Sequence, residues 1–202
     1  MFVGDELLTR VEPRPDGSVA DITQTASSDG RVTIEGTIGL GDGPWLAEFD
    51  LPTRRTAVPA ADNPPWTPPE AIPTAQDYPP MSVPLSADDA RHWVDERIHD
   101  DDPRWHHGDA PLVHPSWGPG QMTPLIRHSY RFPAGVHAAS RIQHLAEHRA
   151  TGRVTVAGRW GTLEVRKGKH WSTTDAVFLG PDGTELSYNR QVAVILPPPP
   201  RD

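Results

Sequence analysis

The sequence predicts an α+β fold in which one long antiparallel sheet curls around a central helix. Three observations carry that expectation. First, residues 136–145, 153–165, 170–179 and 185–196 form four successive strand-like stretches separated by turn signals. Second, two helix-like segments precede them, one opening at Ser86 and one within residues 110–132. Third, the order helix, loop, helix, meander closes with short connections when the sheet wraps the second helix.

The elements read as follows from the N-terminus. Residues 7–11, 19–25, 31–38 and 45–51 alternate apolar and polar side chains and predict short antiparallel strands. Pro15-Asp16-Gly17, Ser28-Asp29-Gly30 and Gly41-Asp42-Gly43 predict the turns between them, since Gly and Asp tolerate positive φ. Residues 52–81 are crowded with proline, which removes backbone donors, and predict an extended connector anchored by Trp66, Ile72 and Tyr78. Ser86 is an N-cap, with Asp88 and Asp89 in the first turn and Ala90, Trp93, Val94 and Ile98 at helical spacing. An acidic loop, residues 100–109, follows. Gly118, Pro119, Gly120 and Pro124 interrupt the second helix and predict that it is short or bent. Lys167-Gly168-Lys169 and Gly180-Pro181-Asp182-Gly183 are hairpin tips, and the tail from Pro197 cannot be an interior strand. The expected division is therefore residues 1–51, 52–81, 82–197 and a tail, 198–202.

Composition narrows the function classes. With 202 residues the chain can bury a substantial core. It has no cysteine, which excludes a thiol nucleophile and thiolate metal sites. Acidic residues outnumber basic ones, 27 to 19, for a net charge of -8, which argues against binding nucleic acid. No apolar run approaches the roughly 20 residues of a membrane span, and residues 1–10 do not form a secretory signal. A cytoplasmic protein without membrane contact is expected. No nucleophile elbow, phosphate loop or dinucleotide fingerprint occurs, so no cofactor is expected. Adjacent His106 and His107 do not make a metal site without a third ligand, and His144 and His148 lie well apart on a strand, so no metal is expected either.

Four ordered segments carry a resemblance. Asp100-Asp101-Asp102-Pro103-Arg104-Trp105-His106 resembles the active-site loop of the MaoC-like enoyl-thioester hydratases and dehydratases. Pro111-Leu112-Val113-His114-Pro115 is similar to the segment leading into the central helix of that superfamily. Residues 136–145 and the hairpin Arg166-Lys167-Gly168-Lys169-His170 are similar to two of its sheet segments. The resemblance implies a hot-dog fold, an antiparallel sheet wrapped around a central helix. It also implies a lyase that adds or removes water at an acyl thioester carried by coenzyme A or a carrier protein, acting as a dimer. The strands of residues 1–51 resemble part of another such unit, giving a double hot dog with a degenerate first half, or else they extend or cover the sheet.

The loop departs from the family pattern by one residue. That pattern places His five residues after Asp and Pro three after it. Asp101 and His106 keep the first spacing, whereas Asp100 and Pro103 keep the second and put Trp105 where His is expected. Either the loop has shifted or the pair has been dismantled. The resemblance implies catalytic roles for Asp101, His106 and His114: the carboxylate positions and the imidazole moves the proton. Trp105, Ser116, Trp117 and Gly118 are the expected substrate contacts, with backbone N–H groups near Ser116–Gly118 polarising the thioester carbonyl. Arg166 and Lys169 are candidates for an anionic carrier, although such a cluster is equally a solvated hairpin tip. An Asp-rich loop is also an ordinary turn whose side chains cap backbone donors. Two other functions stay open: a pocket repurposed as a cyclase or isomerase on a polyketide-like intermediate, and a non-catalytic partner subunit.

Overall fold

Alternating sequence becomes strand wherever a partner edge is within reach, and the chain does this twice. The computed structural model describes residues 6–131 and 135–196, so the tail after Leu196 lies outside the described residues. Two compact units result, Met1–Pro44 and Trp45–Asp202. In the first, β1 (Leu7–Pro13), β2 (Val19–Ala26) and β3 (Val32–Gly39) form an antiparallel sheet in that order. Gly17 and Gly30 turn the hairpins at φ 69° and 68°, the left-handed region where glycine is unstrained.

The fourth strand expected there does not form. Pro44–Glu48 is a 3-10 turn instead. Pro44 fixes the first φ, and the aromatic side chains that suggested a strand have other partners: Phe49 stacks on Tyr188 at 4.9 Å and meets Trp45 edge-on at 5.4 Å. The division between the units falls after Pro44, the first residue of that turn.

The second unit is one sheet, ordered β4-β7-β8-β9-β6, with β5 also on β7. Its strands are β4 (Gln76–Asp77), β5 (Met81–Leu85), β6 (Gly135–His144), β7 (Gly152–Arg166), β8 (Lys169–Leu179) and β9 (Glu185–Ile195). The four long strands match the sequence expectation. The proline-rich connector contributes more than anticipated, because β4 lies within it and β5 follows it, and both pair with β7. Pro84 is accommodated because β5 is an edge strand. Ile72 and Tyr78 anchor the connector in the core, whereas Trp66 remains 54% exposed. The tip between β7 and β8 is a two-residue turn with Lys167 at φ 50° and Gly168 at φ 72°.

Helix α1 (Ala87–Trp93) starts with a capping box: Asp89 N donates to Ser86 Oγ and Ser86 N donates to Asp89 Oδ2. It runs into a π turn, Val94–Ile98, closed by left-handed His99 at φ 58°. The acidic loop holds α2 (Pro103–His106), and the central helix is α3 (Trp117–Gly120) followed by α4 (Met122–Ser129). Pro119 and Pro124 each fall in the first turn of a segment, where a missing N–H leaves no hydrogen bond unmade. That is why the helix survives its prolines but breaks at Gln121.

Trp117, Met122, Leu125 and Ile126 face the sheet and join Tyr78, Val156, Trp160, Ala176 and Phe178 in one buried cluster. Gly158 makes the closest approach possible: a Cβ there would lie 2.5 Å from Leu125 Cδ2. On the opposite sheet face, buried Asp175 accepts from Arg190 at 2.6 and 2.7 Å and from the Asp50 backbone N–H at 2.9 Å. This pins the segment after Pro44 over the outside of the sheet.

Candidate active site

Proline and aspartate set the geometry of the acidic loop. Asp102 caps α2, accepting from the Arg104 N–H at 2.9 Å and pairing with its guanidinium at 2.7 Å, which lowers its carboxyl pKa to about 2. Arg91 ties the loop to α1 by donating to the carbonyls of His106 (2.8 Å) and Gly108 (2.6 Å). With the loop held this way, Asp100 points inward. Its Oδ1 accepts from the Asp102 N–H at 3.0 Å and its Oδ2 from Trp105 Nε1 at 3.1 Å.

His114 approaches the same carboxylate from the other side, its Nε2 standing 3.9 Å from Asp100 Oδ2. Its ring meets Trp105 edge-on at 5.0 Å. The Ser116 backbone N–H donates to His114 Nδ1 at 3.2 Å, so in the neutral ring the proton sits on Nε2, toward Asp100. Ser116 Oγ lies 2.8 Å from the same Nδ1 and accepts from Trp93 Nε1 at 3.1 Å. The Trp93 ring lies over Gly120, where a Cβ would be 2.4 Å away. Helix α1 therefore fixes the imidazole through Trp93 and Ser116. Burial pushes the His114 pKa down, and the Asp100 carboxylate opposes that shift.

A cavity of about 200 Å³ opens beside His114 and Trp105. Trp105, His114 and Gly118 form one wall, and Phe178, Leu186, Ser187, His144 and His148 the other. His148 is largely buried and stays neutral, its pKa lowered to about 4 by desolvation and by neighbouring His144. Its ring packs edge-on against Trp117, and its Nε2 has no hydrogen-bond partner.

Of the residues expected from sequence, the structure brings together His114, Trp105, Ser116 and Gly118. Asp101 is exposed, and Asp100 takes the inward position expected of it. His106 turns away: its Nε2 meets the Asp100 carbonyl at 2.8 Å and its Nδ1 lies 3.7 Å from Asp95. Trp117 is core, between His148 and Phe178. Arg166 pairs with Glu164 at 2.6 Å and lies over Trp171, and neither it nor Lys169 lines the cavity. The pattern Asp100-x-x-Pro103 was the available signal for Asp100. Trp93 lies near the expected site in sequence but reads as a core position from its helical spacing, and nothing local marked Phe178. His144 and His148, expected to lie well apart along a strand, share the cavity because β6 ends at His144. No group of three or more potential metal ligands occurs among the described residues, and no helix among them is long and apolar enough to cross a membrane.

No protein-family model matches the sequence, and no curated protein does so. Solved structures do match. The R-hydratase PhaJ1 from Pseudomonas aeruginosa aligns with a TM-score of 0.54 at 9% identity, over 67% of this chain and 96% of that one. The HadBC (3R-hydroxyacyl-ACP dehydratase) complex from Mycobacterium tuberculosis gives 0.52 at 12%, over 60% and 96%. The ChsH1–ChsH2 complex from the same organism gives 0.51 at 11%, over 62% and 99%. At such identities the likeness is one of architecture: the sheet wrapped around α3 and α4 is a hot-dog fold, in the form that R-hydratases and hydroxyacyl dehydratases carry.

Proposed function

We propose that this protein is a divergent MaoC-like lyase that adds water to, or removes it from, an acyl thioester, with Asp100 and His114 as its acid–base pair. The observation that carries this reading is the facing of Asp100 Oδ2 and His114 Nε2 at 3.9 Å, with His114 lining the cavity. That separation is too long for a hydrogen bond and suits two groups reaching for one water or hydroxyl. The Asp100 carboxylate, held by two donors, accepts a proton, and His114 Nε2–H donates one. In dehydration one group removes the α-proton while the other protonates the leaving β-hydroxyl, and hydration reverses both transfers. Gly118 stands on the cavity wall in the first helical turn, where N–H groups lack intrahelical partners and can polarise a thioester carbonyl. Trp105 replaces the expected histidine in the loop and orients Asp100 through its indole N–H.

The edge strand β6 is exposed along most of its length, which favours pairing with a second copy. A thioester carried by coenzyme A or a carrier protein fits the fold neighbours, and a non-catalytic subunit is the reading to exclude. The test is steady-state hydration of a medium-chain trans-2-enoyl coenzyme A. Turnover lost in Asp100→Asn and His114→Ala but kept in Asp101→Asn and His106→Ala supports the proposal. No turnover by the wild-type homodimer refutes it.

A further inference from the structure

A second cavity, of about 110 Å³, lies between α4 and the inner face of the sheet, with buried Trp160, Ser172 and Gln191 and exposed Arg127 and His137 in its lining. Ile126, Ala193 and Ile195 line part of it, but it carries more polar groups than a hydrocarbon site would. Trp160 is 1% exposed, yet its indole N–H has no hydrogen-bond partner. A buried donor left without a partner is costly, so an orphan of this kind calls for a ligand atom or water. Gln191 is 7% exposed and Ser172 3%, both on the same face. Ser172 makes only a long contact of 3.4 Å to the Ala193 carbonyl. Arg127 forms no ion pair with a described residue. The available groups are rich in donors: an indole N–H, an amide, a hydroxyl and a guanidinium.

From these groups we infer that this cavity is a subsite for a hydrogen-bond-accepting oxygen, carbonyl or carboxylate, on the acyl portion of the substrate. The inference rests on the proposed lyase reading and narrows its substrate class to oxygenated acyl groups. The two cavities share strand β9, Ser187 lining the first and Gln191 the second. Four residues of strand span about 13 Å. An acyl thioester that occupied both would carry a medium-length chain. Asn189, also buried on that inner face, has an Oδ1 without a partner.

The experiment compares three thioesters of matched length: a plain trans-2-enoyl coenzyme A, its ω-carboxy analogue and an analogue with a keto group near the chain end. Turnover is measured in the wild type and in Gln191→Leu, Trp160→Phe and Arg127→Met. Binding of the same three is measured by calorimetry in Asp100→Asn. The wild type is expected to prefer an oxygenated thioester over the plain one by at least tenfold in kcat/KM. Gln191→Leu and Trp160→Phe should each erase most of that preference. Arg127→Met separates the two sources of oxygen: it removes a preference for carboxylate and spares one for ketone. Equal or better use of the plain thioester by wild type overturns the subsite, as does an unchanged ratio in Gln191→Leu. Discrimination in binding without turnover keeps the subsite and removes the lyase reading. Turnover without discrimination does the reverse, and the absence of both removes both.

Discussion

Replacing Asp100 by Asn tests the site at the atom on which it depends. The carboxylate accepts from the Asp102 N–H on one oxygen and from Trp105 Nε1 on the other, while Oδ2 faces His114. An amide keeps the shape but has one oxygen, so one of the two donors must meet an NH₂ group. Losing a hydrogen bond to a charged acceptor amounts to about 1.5–3 kcal/mol locally. Because Asp100 is only partly buried, the effect on global stability is expected near the bottom of that range. Activity should fall much further, since the base is gone and Nε2–H has lost its carboxylate. A positioned acid or base contributes about 10²–10⁴ in rate, equivalent to about 3–5 kcal/mol. Asp101→Asn is the matched control, with the same chemistry one residue away on an exposed side chain, and should stay within about twofold by the same scale. The assay is the loss of enoyl-thioester absorbance, with urea unfolding midpoints measured on both variants. If Asp101→Asn loses activity and Asp100→Asn retains a tenth or more of it, the assignment of the inward carboxylate is wrong.

Other expectations follow from individual contacts. Ser116→Ala strands the Trp93 indole N–H and removes one neighbour of His114 Nδ1; it should lower kcat/KM and stability by about 1 kcal/mol each, with Trp93→Phe milder in a thermal melt. Asp175→Asn uncouples Arg190 from a carboxylate that is 2% exposed; breaking a buried pair should destabilise by about 3–5 kcal/mol, visible as a large drop in urea midpoint, and a wild-type midpoint would contradict the pairing. His148 takes up a proton near pH 6.5 when unfolded but only near pH 4 when folded. Its contribution is therefore complete above pH 6.5 and is lost as pH falls toward 4, and His148→Gln should flatten the slope of stability over that window. Gly158→Ala forces a methyl against Leu125 and should destabilise by about 1–3 kcal/mol. The penalty should shrink when combined with Leu125→Ala, and strict additivity would show that the two do not touch.

The sheet was legible in the sequence because its signals are local. Period-two alternation, the left-handed turn at Lys167-Gly168 and the Gly180–Gly183 tip each act over a few residues. The site was less legible because it is assembled by long-range contacts. His114 is fixed by a tryptophan 21 positions away on α1, through the Ser116 hydroxyl, and no periodicity announces that. The choice between Asp100 and Asp101 was similarly open, since the loop fits the family spacing from either residue. What decides it is the direction of the chain at Asp102. Once Asp102 caps α2 and clamps Arg104, its N–H is committed to Asp100, and the side chain between them faces solvent. The same reasoning accounts for the strand expected at residues 45–51. Alternation there was real, but its aromatic side chains found Tyr188 and its Asp50 N–H found Asp175, so the pattern served tertiary packing instead of a ladder. Where a local pattern has two physical outlets, the buried one prevails, and in this protein the buried outlets are what shape the site.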